Sequence, residues 1–405
     1  MSGTQRALLV LFLPLLSFAA NFDLSQPDPD GAGMNRERLA AIPVRMKEFV
    51  DEGKTSGVVT ILARHGKLAS FDAVGYQNIE SKTPMRKDTM FRIASLTKPV
   101  TCAAIMILAD EGRLSAIDPV EKFLPEYKGL KLNPCGARAG YNCEAIAPAR
   151  PINLEDLMTH TSGLPASAQE GGGAHPGTLA ELVTLGAKRQ LLFEPGTHWS
   201  YSNLGIDILG QIVEVVSKQP FDTFLEERIF KPLGMTDTCF WIPKEKQTRL
   251  ATLYTYENGG LKRAQAGPNI PSKIPSPAGG LISTASDMLR FNQMMRNGGE
   301  LDGKRILSPW AVHLMTISHT GDMKAGWVPG VGHGYGYEVV RDAAGMFRYN
   351  SIGTFVKGGA YRTYEWVDPE KDMVGVFMMQ LTNGGGDVAD EINSFMQMAA
   401  VAIER

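Results

Sequence analysis

Cysteine is scarce, with 4 in 405 residues, too few for a small scaffold held by disulfides. Long runs of one charge sign are also missing, and Lys plus Arg (41) nearly balances Asp plus Glu (43). A nucleic-acid binder needs a basic surplus to displace counterions from phosphates, so no nucleic-acid partner is expected. No apolar run reaches the roughly 20 residues that span a bilayer. No period recurs, which removes collagen, coiled coils and repeat arrays. The chain has no G-x-S-x-G elbow, HExxH, GxGxxG or P-loop, so the corresponding hydrolase, metalloprotease, dinucleotide and nucleotide sites lack support. The seven histidines (His65, His160, His175, His198, His313, His319, His333) show no tight ligand spacing. No metal and no cofactor is expected.

What is present suits a globular enzyme. Hydrophobic residues make up 43% and charged residues 21%, enough apolar surface for a sizeable core. Arg6 precedes a short apolar run at residues 7–16, broken by Pro14 and followed by Ser17, Ala19 and Ala20. That pattern predicts a signal peptide over residues 1–20 and an exported protein, periplasmic or secreted, with no stable membrane span after cleavage. In an oxidising compartment Cys135 and Cys143, bracketing a turn-rich loop, could close a disulfide or remain free thiols. Cys102 and Cys239 read as core thiols.

Helical periodicity runs over residues 34–52, then a hairpin pattern over 58–76 turns at His65-Gly66-Lys67. A short strand at 90–94 leads into a long apolar helix over 95–111 that Gly112 ends. Residues 114–264 read as mostly helical with long loops, including helices over 178–189 and 204–217. Strand patterns return at 336–341, 348–352, 361–367 and 373–380, with a turn at 368–371 and a closing helix over 388–403 after Gly384-Gly385-Gly386. The expectation is an α+β fold: an antiparallel sheet flanked by helices (about 34–113 and 265–405) with a mostly helical subdomain (about 114–264), all one hydrolase domain over 21–405. The cleft between the two regions is the natural place for a site.

Ser95-Leu96-Thr97-Lys98 is the only S-x-x-K in the chain. On a helix, positions i and i+3 share a face, so the Lys98 amine can reach the Ser95 hydroxyl. A serine is a weak nucleophile until a base takes its proton, and a desolvated lysine can be neutral enough to do so. The free N–H groups of a helix start suit a developing oxyanion. By itself the spacing also fits a capping serine and a solvated lysine.

The wider segment, Phe91-Arg92-Ile93-Ala94-Ser95-Leu96-Thr97-Lys98, resembles the active-site segment of class C β-lactamases and their esterase relatives, the family VIII carboxylesterases. Leu157-Met158-Thr159-His160-Thr161-Ser162-Gly163-Leu164 is similar to that family's L-L-T-H-T-S-G-L. Glu194-Pro195-Gly196 with Trp199-Ser200-Tyr201-Ser202-Asn203 resembles P-G-x-x-x-x-Y-S-N, and Ala278-Gly279-Gly280-Leu281 with Ser283-Thr284-Ala285-Ser286-Asp287 resembles A-G-G-L-x-S-T-x-x-D. The resemblance spans about residues 38–391 and implies a β-lactamase/transpeptidase-like fold. It implies Tyr201 as the third catalytic member beside Ser95 and Lys98. Either Lys98 or Tyr201 serves as base, and Asn203 orients Lys98 and the substrate carbonyl.

The family's last motif, K-T-G, H-T-G or W-G-G, is matched here by the hybrid Lys357-Gly358-Gly359-Ala360. The resemblance places the oxyanion hole at the backbone N–H groups of Ser95 and Ala360, with Lys357, Gly358 and Gly359 along the substrate. Trp327, Tyr335 and Tyr337 either line an apolar acyl pocket or pack in the core. Absence of the threonine shifts the expected substrate toward neutral short-acyl esters, whereas the Lys357 cation keeps acidic substrates and β-lactams in view. The expected activity is an acyl-enzyme serine hydrolase acting on a small-molecule ester, a carboxylesterase. The alternative is a β-lactamase or D-Ala-D-Ala-type peptidase. A non-catalytic penicillin-binding module would be expected to lack one of Ser95, Lys98 and Tyr201. Acyl transfer to an alcohol or amine also fits the chemistry.

Overall fold

Side-chain alternation decides the sheet. In the strand Gly57–Arg64, Val59, Ile61 and Ala63 join one apolar cluster, while Val58 and Leu62 join another. Successive side chains of a strand point to opposite faces, so this strand is covered on both. The computed structural model describes residues 21–136, 143–169, 176–264, 274–344, 347–383 and 390–404. The expected leader (1–20), His175 and the Gly384–Gly386 run lie outside the described residues.

Among the described residues, eight strands form the main sheet in the spatial order Val331–His333, Glu338–Val340, Phe355–Gly358, Tyr364–Asp368, Met373–Met378, Gly57–Arg64, Lys67–Asn78, Thr83–Pro84. Every neighbouring pair is antiparallel. The first and last thirds of the chain meet where Ile61 lies opposite Val376. One face is covered by the helix Arg36–Asp51, which buries Leu39, Ile42, Met46 and Phe49, and by Ile392, Phe395, Met396 and Ala399 of Asp390–Val401. On the other face Thr97–Asp110 is buried at every position from Thr97 to Leu108. A helix apolar all round belongs in the centre of a protein, and the helices Asn203–Ser217 and Ala285–Arg296 bury their apolar faces in the same cluster. The architecture is α+β, an antiparallel sheet flanked by helices.

Residues 114–264 carry the helices Leu154–Met158, Leu179–Gly186, Asn203–Ser217 and Phe221–Leu225, as well as an unforeseen hairpin, Tyr254–Glu257 with Gly260–Arg263. Among the described residues no helix is long and apolar enough to cross a membrane. Cys135 and Cys143 are joined by a disulfide, their Cα atoms 6.0 Å apart. Cys102 is buried and Cys239 partly so.

Two expectations need correction. Residues 348–352 form turns, not a strand: Asn350 N–H donates to the Phe347 carbonyl (2.8 Å), and Ser351 N–H donates to Asp368 Oδ2 (2.9 Å). Gly353, at φ +87°, then redirects the backbone before the strand begins at Phe355. Ser95 precedes the long helix instead of opening it, sitting in a one-turn 3₁₀ segment, Ala94–Leu96. Pro99 has no N–H to donate to the Ser95 carbonyl, so it fits only in the helix's first turn, and the helix starts at Thr97.

Candidate active site

The strand Phe91–Arg92 pairs with Ile282–Ser283, and Ile93 N–H donates to the Leu281 carbonyl (3.0 Å). The chain then bends at Ala94, whose φ of +46° lies in the left-handed region. Thr97 Oγ1 donates to the Ala94 carbonyl (2.7 Å) and accepts from Leu281 N–H (3.2 Å), which holds the bend. Ser95 therefore projects from a fixed corner between strand and helix.

Lys98 follows in the helix with its side chain fully buried. Its Nζ donates to Ser95 Oγ (3.2 Å), Asn203 Oδ1 (2.8 Å) and the Ala278 carbonyl (2.5 Å). An ammonium has three donors and no acceptor, which matches these three oxygens, and the Tyr201 hydroxyl lies close enough to share one of them. Burial pushes the Lys98 pKa down; Tyr201 and Asp207 oppose that shift, and the nearby Lys357 cation adds to it.

Tyr201 Oη lies 2.7 Å from Ser95 Oγ. Burial alone would raise this phenol, but the Lys98 and Lys357 cations and hydrogen bonding to Lys98 and Ser95 outweigh it, so its pKa falls below the usual 10. Lys98 Nζ sits 4.7 Å and Lys357 Nζ 5.3 Å from the Tyr201 ring centre. Asn203 opens the helix Asn203–Ser217, whose N-cap is Ser202. Ser202 Oγ accepts from Gly205 N–H (3.1 Å) and donates to the Pro165 carbonyl (2.7 Å). The cap thus fixes the two site residues on either side of it.

The hybrid motif reaches the same corner. Gly359 lies so close that a Cβ there would stand 2.5 Å from the Ile93 carbonyl and 3.3 Å from Leu96 Cδ1. Thr363 Oγ1 donates to the Ile93 carbonyl (3.0 Å). Gly358, Gly359 and Ala360 are thereby held beside the Ser95 turn. Lys357 is buried, and its Nζ is 3.8 Å from Glu338 Oε1. It is an interior, ion-paired lysine and not a solvated strand residue.

The aromatic expectations divide. Trp327 is 63% exposed and packs on Trp199 and Tyr201 with ring centres 5.7 and 5.4 Å apart. Tyr335 turns elsewhere: its hydroxyl donates to Glu155 Oε2 (2.6 Å) and its ring stacks on His319 at 4.3 Å. Tyr337 is buried, with its hydroxyl on Asn292 Oδ1 (3.3 Å).

Sequence reasoning gave no role to several neighbours. His160 Nδ1 accepts from Ser202 N–H (3.2 Å), and its ring lies 4.6 Å from that of Tyr201. His333 Nδ1 donates to the Gly334 carbonyl (2.9 Å). Both histidines are buried and their pKa values pushed down, that of His333 to about 3, so both are neutral at pH 7. Asp207 Oδ1 accepts from Ala278 N–H (3.2 Å), on the peptide stretch that receives Lys98. The available signal for Asp207 was a lone acid one helical turn beyond Asn203, within the apolar run Leu204 to Val213.

Arranged this way, a serine hydroxyl shared between a depressed phenol and a desolvated amine can lose its proton and attack an acyl carbon. Among the described residues, no cluster of His, Cys, Asp or Glu could hold a metal ion.

The chain is 37% identical to Protein Rv1367c of Mycobacterium tuberculosis over 361 residues, covering 83% of this chain and 88% of that one. It is 29% identical to Esterase EstB of Burkholderia gladioli over 390 residues, covering 88% and 93%. Among solved structures it is similar to EstCE1, described as a hydrolase with promiscuous acyltransferase activity, at 26% identity and a TM-score of 0.74, covering 91% of this chain and 99% of that one. The family model named Beta-lactamase matches residues 45–395. The chain belongs to the beta-lactamase family and is a hydrolase of the serine β-lactamase fold.

Proposed function

We propose that this protein is a carboxylesterase that forms an acyl-enzyme on Ser95 and acts on neutral, short-acyl esters. The observation carrying the chemistry is the 2.7 Å contact of Ser95 Oγ with Tyr201 Oη beside Lys98 Nζ at 3.2 Å. Tyr201, or neutral Lys98, takes the hydroxyl proton as Ser95 Oγ bonds to the ester carbonyl carbon. The carbonyl oxygen becomes an oxyanion facing the backbone N–H groups of Ser95 and Ala360, each donor worth about 3 kcal/mol to the transition state. On collapse the alcohol leaves with that proton. Water then attacks the acyl-enzyme, gives its proton to the same base, and the acid departs as Ser95 is reprotonated. Asn203 holds Lys98, Gly358 and Gly359 let the substrate approach the strand, and Trp327 walls the acyl or alkoxy side.

The ester reading is supported by the relative named as an esterase and by the engagement of Lys357 with Glu338. β-Lactam or peptide turnover is the second reading, favoured by the Lys357 cation. Export, with removal of residues 1–20, is proposed alongside, supported by the Cys135–Cys143 bridge.

Purified protein should hydrolyse p-nitrophenyl acetate and butyrate with kcat/KM far above that for a chromogenic cephalosporin. Ser95→Ala should abolish turnover and covalent labelling by a serine-directed phosphonate while the fold is retained. Labelling that persists in Ser95→Ala removes Ser95 as nucleophile, and a reversed substrate ratio makes the protein a β-lactamase.

A further inference from the structure

Lys357 is the cation of the strand Phe355–Gly358 that borders the site. Its side chain and that of Glu338 are each only 2% exposed, with Nζ 3.8 Å from Oε1. Glu338 opens the neighbouring antiparallel strand, opposite Val356 on one side and His333 on the other. Behind it stands Gly326, at φ +75°, where a Cβ would lie 3.1 Å from Glu338 Oε2. The carboxylate therefore lies against the backbone turn that carries Trp327, on the side away from solvent.

The other charged or titratable groups around Lys357 do not replace Glu338. Glu365 lies directly opposite Lys357, is buried, and has its pKa pushed up to about 8 by burial, so at neutral pH it is largely protonated. His333 is neutral, as is His160. Tyr201 and Lys98 form the reacting pair. Glu338 is the carboxyl that pairs with Lys357 next to the substrate path.

We propose that Glu338 is a specificity-determining residue, occupying the Lys357 ammonium so that substrates bearing a carboxylate are turned away and neutral esters are selected. An incoming carboxylate would have to share one buried ammonium with a carboxylate already beside it. Like charges held at such a distance in a desolvated site repel strongly. The Lys-Gly-Gly motif therefore keeps its cation for structure and for its field on Tyr201, while its ability to recognise an acid is cancelled. This inference rests on the ester-hydrolysing reading of the same site.

The test compares p-nitrophenyl pentanoate with p-nitrophenyl hydrogen glutarate, a near-isosteric anion. In the wild-type enzyme the anion-to-neutral ratio of kcat/KM should be about 0.1 or lower. Glu338→Gln should raise that ratio at least tenfold, and adding Lys357→Met should reverse the gain. An unchanged ratio in a variant that still turns over the neutral ester overturns the proposal. A second measurement does not depend on the variant folding. Phenylboronic acid and 3-carboxyphenylboronic acid are compared as inhibitors of the wild type and of Lys357→Met. Equal inhibition constants, or weaker binding of the carboxylated compound in the wild type, support masking. Tenfold tighter binding of the carboxylated compound that Lys357→Met abolishes overturns it. If the wild-type enzyme turns over neither ester, the esterase reading fails, and the boronate pair still decides the role of Glu338.

Discussion

At Lys98 three donors meet three acceptors, and the consequence lies in which of them survives deprotonation. A neutral amine keeps two N–H donors, which Asn203 Oδ1 and the Ala278 carbonyl can take, and turns its lone pair toward Ser95 Oγ. Tyr201 reaches the same oxygen, so amine and phenol titrate as a pair whose apparent pKa belongs to both. The active form has one proton fewer, so rate rises with pH along an acid limb. Tyr201→Phe should lower kcat by about 10² or more with a smaller change in KM; an unchanged kcat would leave Lys98 as the sole base. Lys357 contributes at this scale through its field. It pushes the Tyr201 pKa down, so Lys357→Met should move the acid limb of kcat/KM to higher pH. The loss of its partner's compensation at Glu338 acts in the same direction. A limb that stays in place would show that the Lys357 field does not set the base.

Between residue and molecule stand the turns that hold one element against another. The Gly359 turn is the sharpest example: Gly359 N–H donates to the Thr363 carbonyl (2.8 Å), and Thr363 Oγ1 returns to the Ile93 carbonyl (3.0 Å). A Cβ at Gly359 would stand 2.2 Å from Thr363 Oγ1 and 2.5 Å from the Ile93 carbonyl, and backbone cannot step aside as a flexible side chain can. Gly359→Ala should therefore cost about 1–3 kcal/mol of stability and lower kcat more than it raises KM, because it separates the proposed oxyanion donors. Wild-type kcat in this variant would disconnect the turn from the reaction. Such turns also mark where the sequence stopped being readable. The central helix and the hairpin at its expected turn, His65-Gly66-Lys67, were legible because period and turn chemistry agree. Ser95, Lys98, Tyr201 and Asn203 were legible because ordered motifs tied them to one site. Glu338 and His160 were not, since their roles arise from cross-strand register and ring stacking between segments far apart in the chain. Tyr335 was left open between pocket and core for the same reason, its glycine-rich stretch giving no period to show that the ring turns toward Glu155.

Across the whole molecule, burial has set titratable groups against the folded state in opposite directions. His160 and His333 are held neutral, so below their usual pKa of 6.5 the unfolded chain binds protons that the native chain refuses. Stability therefore falls as pH drops below about 6.5. Glu365 does the reverse. Its carboxyl titrates near 4.5 when unperturbed but at about 8 in the fold, so between those values the native chain keeps a proton that the unfolded chain releases. Stability from this group falls as pH rises through that window, by at most about 1.4 kcal/mol per pH unit. Asp207 and Asp287, raised to about 7 and about 6, add to the loss over the lower part of the range. Among these carboxyls Glu365 is the one whose window extends clearly above pH 7. Glu365→Gln keeps an acceptor for Asn292 Nδ2, now 2.8 Å from Glu365 Oε2, and removes the titration. Between pH 6.5 and 8.5 the wild-type Tm should lose more than that of Glu365→Gln, because only the wild type carries this titration. Equal falls in both proteins would mean that the buried carboxyl is already ionised in the fold, and that Lys357 is balanced from both of its neighbouring strands.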